Sequence, residues 1–128
     1  MGALEHINVT VSDPDRTAQM CADLFGWQKR WEGGAIDNGR SIHVGGTDFY
    51  IAVYEGPDGV AGQTPAQNSY RQRSGLNHIG VVVDDLDAVE AKVTAMGFTP
   101  NNHQDYEPGR RFYFRDHDDV EWEIVSYA

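Results

Sequence analysis

The sequence predicts an α+β fold of two βαβββ modules, and three observations carry that prediction. A segment near the N-terminus recurs 72 residues later, each copy alternates apolar and polar residues as a strand does, and each is followed by a capped helical pattern. LEHINVTVSDPD, from Leu4, aligns without gaps on LNHIGVVVDDLD, from Leu76, and seven of the twelve positions are identical, His6/His78 among them. Module one is expected over residues 1–55, a linker over 56–75 and module two over 76–128, together forming a single domain.

The elements follow in order. Ile7, Val9 and Val11 alternate with His6, Asn8 and Thr10, as Ile79, Val81 and Val83 do with His78, Gly80 and Val82, so the two histidines take the same face of equivalent strands. Ser12 or Asp13 caps the first helix, with Pro14 at an early position where its missing N–H costs nothing, and Thr17, Cys21 and Leu24 share one face. Asp85 caps the second helix, in which Leu86, Val89, Val93 and Met96 recur at helical spacing before Gly97 stops it. Strand-like segments come next: WQKRWE, SIHVG and DFYIAVYE in module one, GFTP, RRFYFRD and VEWEIVSY in module two. Cys21 falls opposite Val93 in the repeat and is expected to be a core thiol. The segment from Gly56 to Gly75 is rich in Gly, Pro, Gln and Ser and reads as a linker or loop.

Composition removes several function classes. A formal charge of −10 repels phosphate backbones and anionic membranes, so no nucleic-acid or membrane partner is expected. No apolar run approaches the roughly 18 residues needed to span a bilayer. Met1 to His6 lacks the pattern of a secretory signal and the chain has one cysteine, so a cytoplasmic location is expected. A local cationic pocket stays open, with Arg71, Arg73, Arg110, Arg111 and Arg115 in the relevant stretches.

The final strand puts Trp122 and Ile124 on one face and Glu121, Glu123 and Val125 on the other. Glu123 thereby shares the open face with His78, and His6 occupies the matching position in module one. Two imidazoles and one carboxylate form a set suited to a divalent metal: iron(II), manganese, nickel, cobalt and zinc all accept it, with positions left for substrate or oxygen. Arg111 and Tyr113 alternate with Phe112 and Phe114 and become candidate substrate-binding groups, as do His43 and Tyr54 by the same parity. His103 and His117 fall in loop-like stretches and are expected to be exposed. DHDD at Asp116–Asp119 is expected to be a solvated hairpin turn.

LEHINVTVSDPDRTAQMCADLFGW, GLNHIGVVVDDLDAVEAKVTAMGF and FYFRDHDDVEWEIVSY resemble the vicinal oxygen chelate superfamily of glyoxalases, bleomycin-resistance proteins and extradiol dioxygenases along nearly the whole chain. The resemblance implies sheets curled around a cleft, metal ligands at His6, His78 and Glu123, a small-molecule substrate whose vicinal oxygens chelate the metal, and a homodimer. If modules are exchanged in such a dimer, His6 of one chain meets His78 and Glu123 of the other; an intrachain site stays open as the alternative. Lactoylglutathione-type glyoxalases add a glutamate on the last strand of module one, whereas here that position falls near Ile51 or Ala52, with Glu55 only at the strand's end. The three-ligand pattern is instead similar to extradiol dioxygenases and fosfomycin-resistance transferases. The function expected is metal-dependent Lewis-acid catalysis of the lyase, isomerase or dioxygenase kind, with Glu123 a possible catalytic group. The alternative is a metal-free, drug-sequestering protein of the bleomycin-resistance type, its pocket lined from three Trp and six Tyr.

Overall fold

Local chemistry sets the two helices. In the computed structural model, which describes residues 1–66, 69–106 and 109–128, strand β1 (His6–Thr10) leads into helix α1 (Pro14–Phe25), capped by the Asp13 carboxylate accepting from the Arg16 N–H. Strand β5 (Ile79–Val82) likewise leads into α2 (Leu86–Ala95), where Asp85 accepts from the Ala88 N–H. Each cap satisfies an N–H that the first helical turn leaves without an intrahelical partner.

Three strands follow each helix. Module one continues with β2 (Gln28–Gly34), β3 (Arg40–Gly45) and β4 (Tyr50–Glu55), module two with β6 (Asn101–Tyr106), β7 (Gly109–Arg115) and β8 (Glu121–Ser126). The sheets have the same order, β1-β4-β3-β2 and β5-β8-β7-β6, with one parallel pair in each and the remaining pairs antiparallel. The result is an α+β fold of two four-stranded mixed sheets. The chain divides into two compact units, Met1–Gln63 and Thr64–Ala128. The expected linker spans that boundary, and two of its residues, Gln67 and Asn68, lie outside the described residues.

One face of each sheet is closed by its helix. Ile42, Val44, Ile51 and Val53 are buried in unit one, as are Thr17, Cys21 and Leu24 of α1; Phe112, Phe114, Trp122 and Ile124 are buried in unit two with Leu86, Val89 and Val93 of α2. Full burial of each large apolar side chain stabilises by about 1.5 to 3 kcal/mol. Among the described residues no helix is long and apolar enough to cross a membrane.

The structure corrects five expectations, each for a local reason. GFTP is not a strand: Gly97, at φ +92°, closes a turn in which the Phe98 N–H reaches the Val93 carbonyl and the Gly97 N–H the Thr94 carbonyl. Phe98 then stacks 5.6 Å from Phe114, while Met96, expected on the buried face, is exposed at the helix end. The first strand after α2 is instead β6, NNHQDY, which lies at the sheet edge with almost every residue exposed and so shows no apolar alternation. His103 is therefore on a strand, exposed as expected, and paired with Glu90 at 3.0 Å. The DHDD turn is anchored inward rather than solvated: buried Asp116 accepts from the Asp118 and Val120 N–H groups and from Trp122 Nε1. Desolvation raises the Asp116 pKa above its ordinary value, against the lowering effect of those hydrogen bonds. His117 is correspondingly covered, its side chain only 13% exposed.

Candidate functional site

Parity decides which side chains each sheet presents away from its helix. In sheet two the register sets Glu123 opposite Gly80 on one neighbour and Tyr113 on the other. Gly80 has no side chain to cover the carboxylate, and an added Cβ there would lie 4.0 Å from Glu123 Oε1. Three groups converge on Glu123. The Tyr113 hydroxyl donates a short hydrogen bond to Oε2, His78 Nε2 lies 3.7 Å from the same oxygen, and Arg111 lies 3.6 Å from Oε1.

Glu123 is only 15% exposed and Arg111 12%, so solvent screens this charge cluster little. The Tyr113 pKa is pushed up to about 12, first by its hydrogen bond to Glu123 and then by desolvation. Arg111 also lies 4.8 Å from the Tyr106 ring centroid, and its Nε is buried with no hydrogen-bond partner among the described residues. Arg115 pairs with Glu121 at 3.5 Å, and Arg110, of opposite parity, pairs with Asp87 at 3.0 Å. Arg71 and Arg73 are exposed. These ion pairs make the face charge-balanced rather than a cationic pocket.

The sequence did not single out Tyr70 and Glu121. The Tyr70 hydroxyl donates a short hydrogen bond to Glu121 and lies 3.1 Å from His78 Nδ1. Its pKa is raised to about 12 by desolvation of the hydroxyl and then by Glu121, although the residue as a whole is more than half exposed. Alternation already put Glu121 on the Glu123 face, whereas Tyr70 sits in the aperiodic stretch before β5, where no pattern marks it.

Sheet one presents rings where sheet two presents charges. His6 stacks on Tyr50 at 4.7 Å and 8°, Tyr50 on His43 at 4.3 Å and 16°, and His43 meets Trp31 at 4.9 Å. His6 Nδ1 is 2.8 Å from Glu5 Oε1. The His43 pKa is lowered, chiefly by desolvation and then by the charges of His6 and Arg30. The Tyr54 hydroxyl donates to the Ile36 carbonyl at 2.7 Å, which ties down the loop before β3. Glu55 is held by Arg40 at 2.9 Å. Asn8 pairs with Ala52 as Gly80 pairs with Glu123, so Ala52 is the module-one counterpart of Glu123.

Two imidazoles and a carboxylate suit a divalent ion, and the His78–Glu123 separation is close to the roughly 3 to 3.5 Å between two ligands that share one. The structure brings His78 and Glu123 together within unit two, while His6 belongs to unit one. Among the described residues no three His, Cys, Asp or Glu side chains are grouped to hold an ion.

Residues 5–114 match the family model of the Glyoxalase/Bleomycin resistance protein/Dioxygenase superfamily. The chain belongs to that superfamily. Solved structures of superfamily type agree in fold. A glyoxylase/bleomycin resistance protein/dioxygenase domain from Frankia sp. EAN1pec is 22% identical with a TM-score of 0.78, over 98% of this chain and 92% of its own. The fosfomycin resistance protein FosX from Listeria monocytogenes, complexed with Mn(II) and sulfate ion, is 18% identical with a TM-score of 0.70, over 98% and 93%. FosX from Mesorhizobium loti is 22% identical with a TM-score of 0.68, over 98% and 91%. Among curated proteins no sequence match is found.

Proposed function

We propose that this superfamily member is a metal-dependent enzyme acting on a small, oxygen-rich substrate, with His6, His78 and Glu123 as ligands of a divalent ion. The observation that carries the reading is the Glu123 cluster: a mostly covered carboxylate on an open sheet face, 3.7 Å from His78 Nε2 and held by Tyr113 and Arg111. A core role gives no reason for a glutamate there, because that face is not the one packed by α2. Mn(II) bound by the fold-related FosX supports a divalent metal of the same kind.

Bound by these ligands, the ion supplies Lewis-acid polarisation of chelated oxygens. The protein's own groups orient what binds. Tyr113 fixes Glu123 Oε2, the oxygen that lies 3.7 Å from His78 Nε2, and so holds the carboxylate toward that imidazole. Arg111, whose buried Nε has no hydrogen-bond partner among the described residues, balances Glu123 in the free protein and supplies the positive charge that an anionic substrate oxygen requires. Lyase, isomerase and dioxygenase chemistry all start from such polarisation.

One observation favours a second reading, metal-free sequestration of a planar ligand. The rings of His6, Tyr50 and His43 stack in a row on the open face of sheet one, and Trp31 meets its end at a 47° tilt. Equilibrium dialysis of chelator-treated protein against Mn(II) separates the two. The enzyme reading predicts one ion per chain, with binding lost in His6→Ala, His78→Ala and Glu123→Ala; no uptake by the wild-type protein would leave sequestration.

A further inference from the structure

We infer that Tyr70 is a positioning residue: together with Glu121 it holds His78 as the Nδ1–H tautomer, leaving the Nε2 lone pair turned toward Glu123. The purpose of that arrangement rests on the metal-ligand reading of His78, whereas the arrangement itself rests on a count of protons. Tyr70 has one hydroxyl proton and two neighbours, a Glu121 oxygen and His78 Nδ1 at 3.1 Å. The Glu121 carboxylate is an acceptor, and its second oxygen lies 3.5 Å from Arg115. The phenol proton therefore goes to Glu121, and the hydroxyl oxygen is left facing Nδ1 with lone pairs.

A contact of 3.1 Å between two lone pairs is unfavourable, so Nδ1 carries the hydrogen and donates it to Tyr70. In the neutral ring Nε2 is then the unprotonated nitrogen. It lies 3.7 Å from Glu123 Oε2, beyond hydrogen-bond distance, so no N–H is called for on that side. In the opposite tautomer, which a histidine side chain prefers in free solution, the one hydroxyl proton would have to serve Nδ1 at the expense of Glu121 or leave Nδ1 without a donor.

Module one reaches the same end by a shorter route. Glu5 Oε1 lies 2.8 Å from His6 Nδ1, and a carboxylate there requires an N–H on Nδ1 and again leaves Nε2 open. The two repeat-equivalent histidines thus have the same nitrogen occupied by unrelated partners, one adjacent in sequence and one delivered by the stretch before β5. A partner on the outer nitrogen is what orients a ligating imidazole and raises its basicity.

The test reads the ring directly, by long-range proton–nitrogen-15 NMR of metal-free protein at a pH where His78 is neutral. Wild-type His78 is expected as Nδ1–H, and Tyr70→Phe, which keeps the ring and removes only the hydroxyl, is expected to shift it toward Nε2–H. The same variant should bind Mn(II) about 10- to 100-fold more weakly while its metal-free melting temperature stays at the wild-type value. An Nε2–H ring in the wild type, or an Nδ1–H ring retained in Tyr70→Phe, overturns the inference. So does unchanged Mn(II) affinity in a variant whose tautomer has switched. Wild-type protein that takes up no Mn(II) ends the metal-ligand reading instead, and the tautomer alone then decides the role of Tyr70.

Discussion

Sheet one and sheet two have the same strand order, the same parallel pair and the same parity of buried residues, yet their open faces carry different chemistry. At the centre of sheet one Ala52 lies between Asn8 and His43; at the centre of sheet two Glu123 lies between Gly80 and Tyr113. Beside Ala52 lies the row of rings that includes His43, whereas around Glu123 the neighbours are His78, Tyr113 and Arg111, in ion pairs and a hydrogen bond. The buried face is fixed by the need to cover a helix, so the repeat survives there. The open face is released from that need and can differ between modules, which is where a function resides.

The largest effect that separates the modules is expected at their last turns. Module one closes the β3–β4 turn through backbone, the Gly46 N–H to the Phe49 carbonyl at 3.0 Å, and Asp48 there is exposed. Module two has a backbone bond of its own, the Asp116 N–H to the Val120 carbonyl at 3.0 Å, and adds to it the buried Asp116 carboxylate, which takes three donors. Asp116→Ala should cost about 2 to 4 kcal/mol in denaturant unfolding, because buried donors lose their acceptor. Asp48→Ala should stay within about 0.5 kcal/mol of wild type. Equal costs would show that the two turns are not held differently.

A smaller effect sharpens the contrast at the centre of each sheet. Tyr113→Phe removes the hydroxyl on Glu123 and should weaken Mn(II) binding about 10- to 100-fold by isothermal titration. His43→Phe, at the register-equivalent position beside Ala52, should leave that affinity unchanged. Identical losses would put both faces in one role.

The smallest effect is a pH dependence just below neutrality that arises at His43 in sheet one. His43 has its folded-state pKa lowered below 6.5, so the unfolded chain binds the proton more readily. Its contribution to stability is therefore present above pH 6.5 and is lost as pH falls from there through the lower folded value. His43→Gln should flatten that part of the curve of unfolding free energy against pH. A slope unchanged between the two proteins would remove His43 as its source.

Much of this was legible in the residues themselves. The repeat with its alternation and two aspartate caps gave both βα units, and parity placed Glu123, Tyr113 and Arg111 on one face because β7 and β8 alternate strictly with Phe112, Phe114, Trp122 and Ile124. What escaped lacks periodicity. Strand β6 is an exposed polar edge, Asp116 looks like any turn aspartate until Trp122 is seen to need its oxygen, and half-buried Phe98, stacked on Phe114, takes the place that helical spacing assigned to Met96. Tyr70 meets Glu121 across 51 residues of chain, a contact set by tertiary structure alone.

The account stands on Glu123 being a metal ligand rather than a packed core side chain, and melting temperature with and without metal tests that most directly. Wild type and Glu123→Ala are each heated in chelator and in Mn(II) at a hundredfold excess over the wild-type Kd. A ligand that binds only the folded state stabilises wild type by about 2.7 kcal/mol under those conditions, seen as a clear upward shift, and the variant should show almost none of it. The same metal-induced shift in both proteins would contradict the assignment.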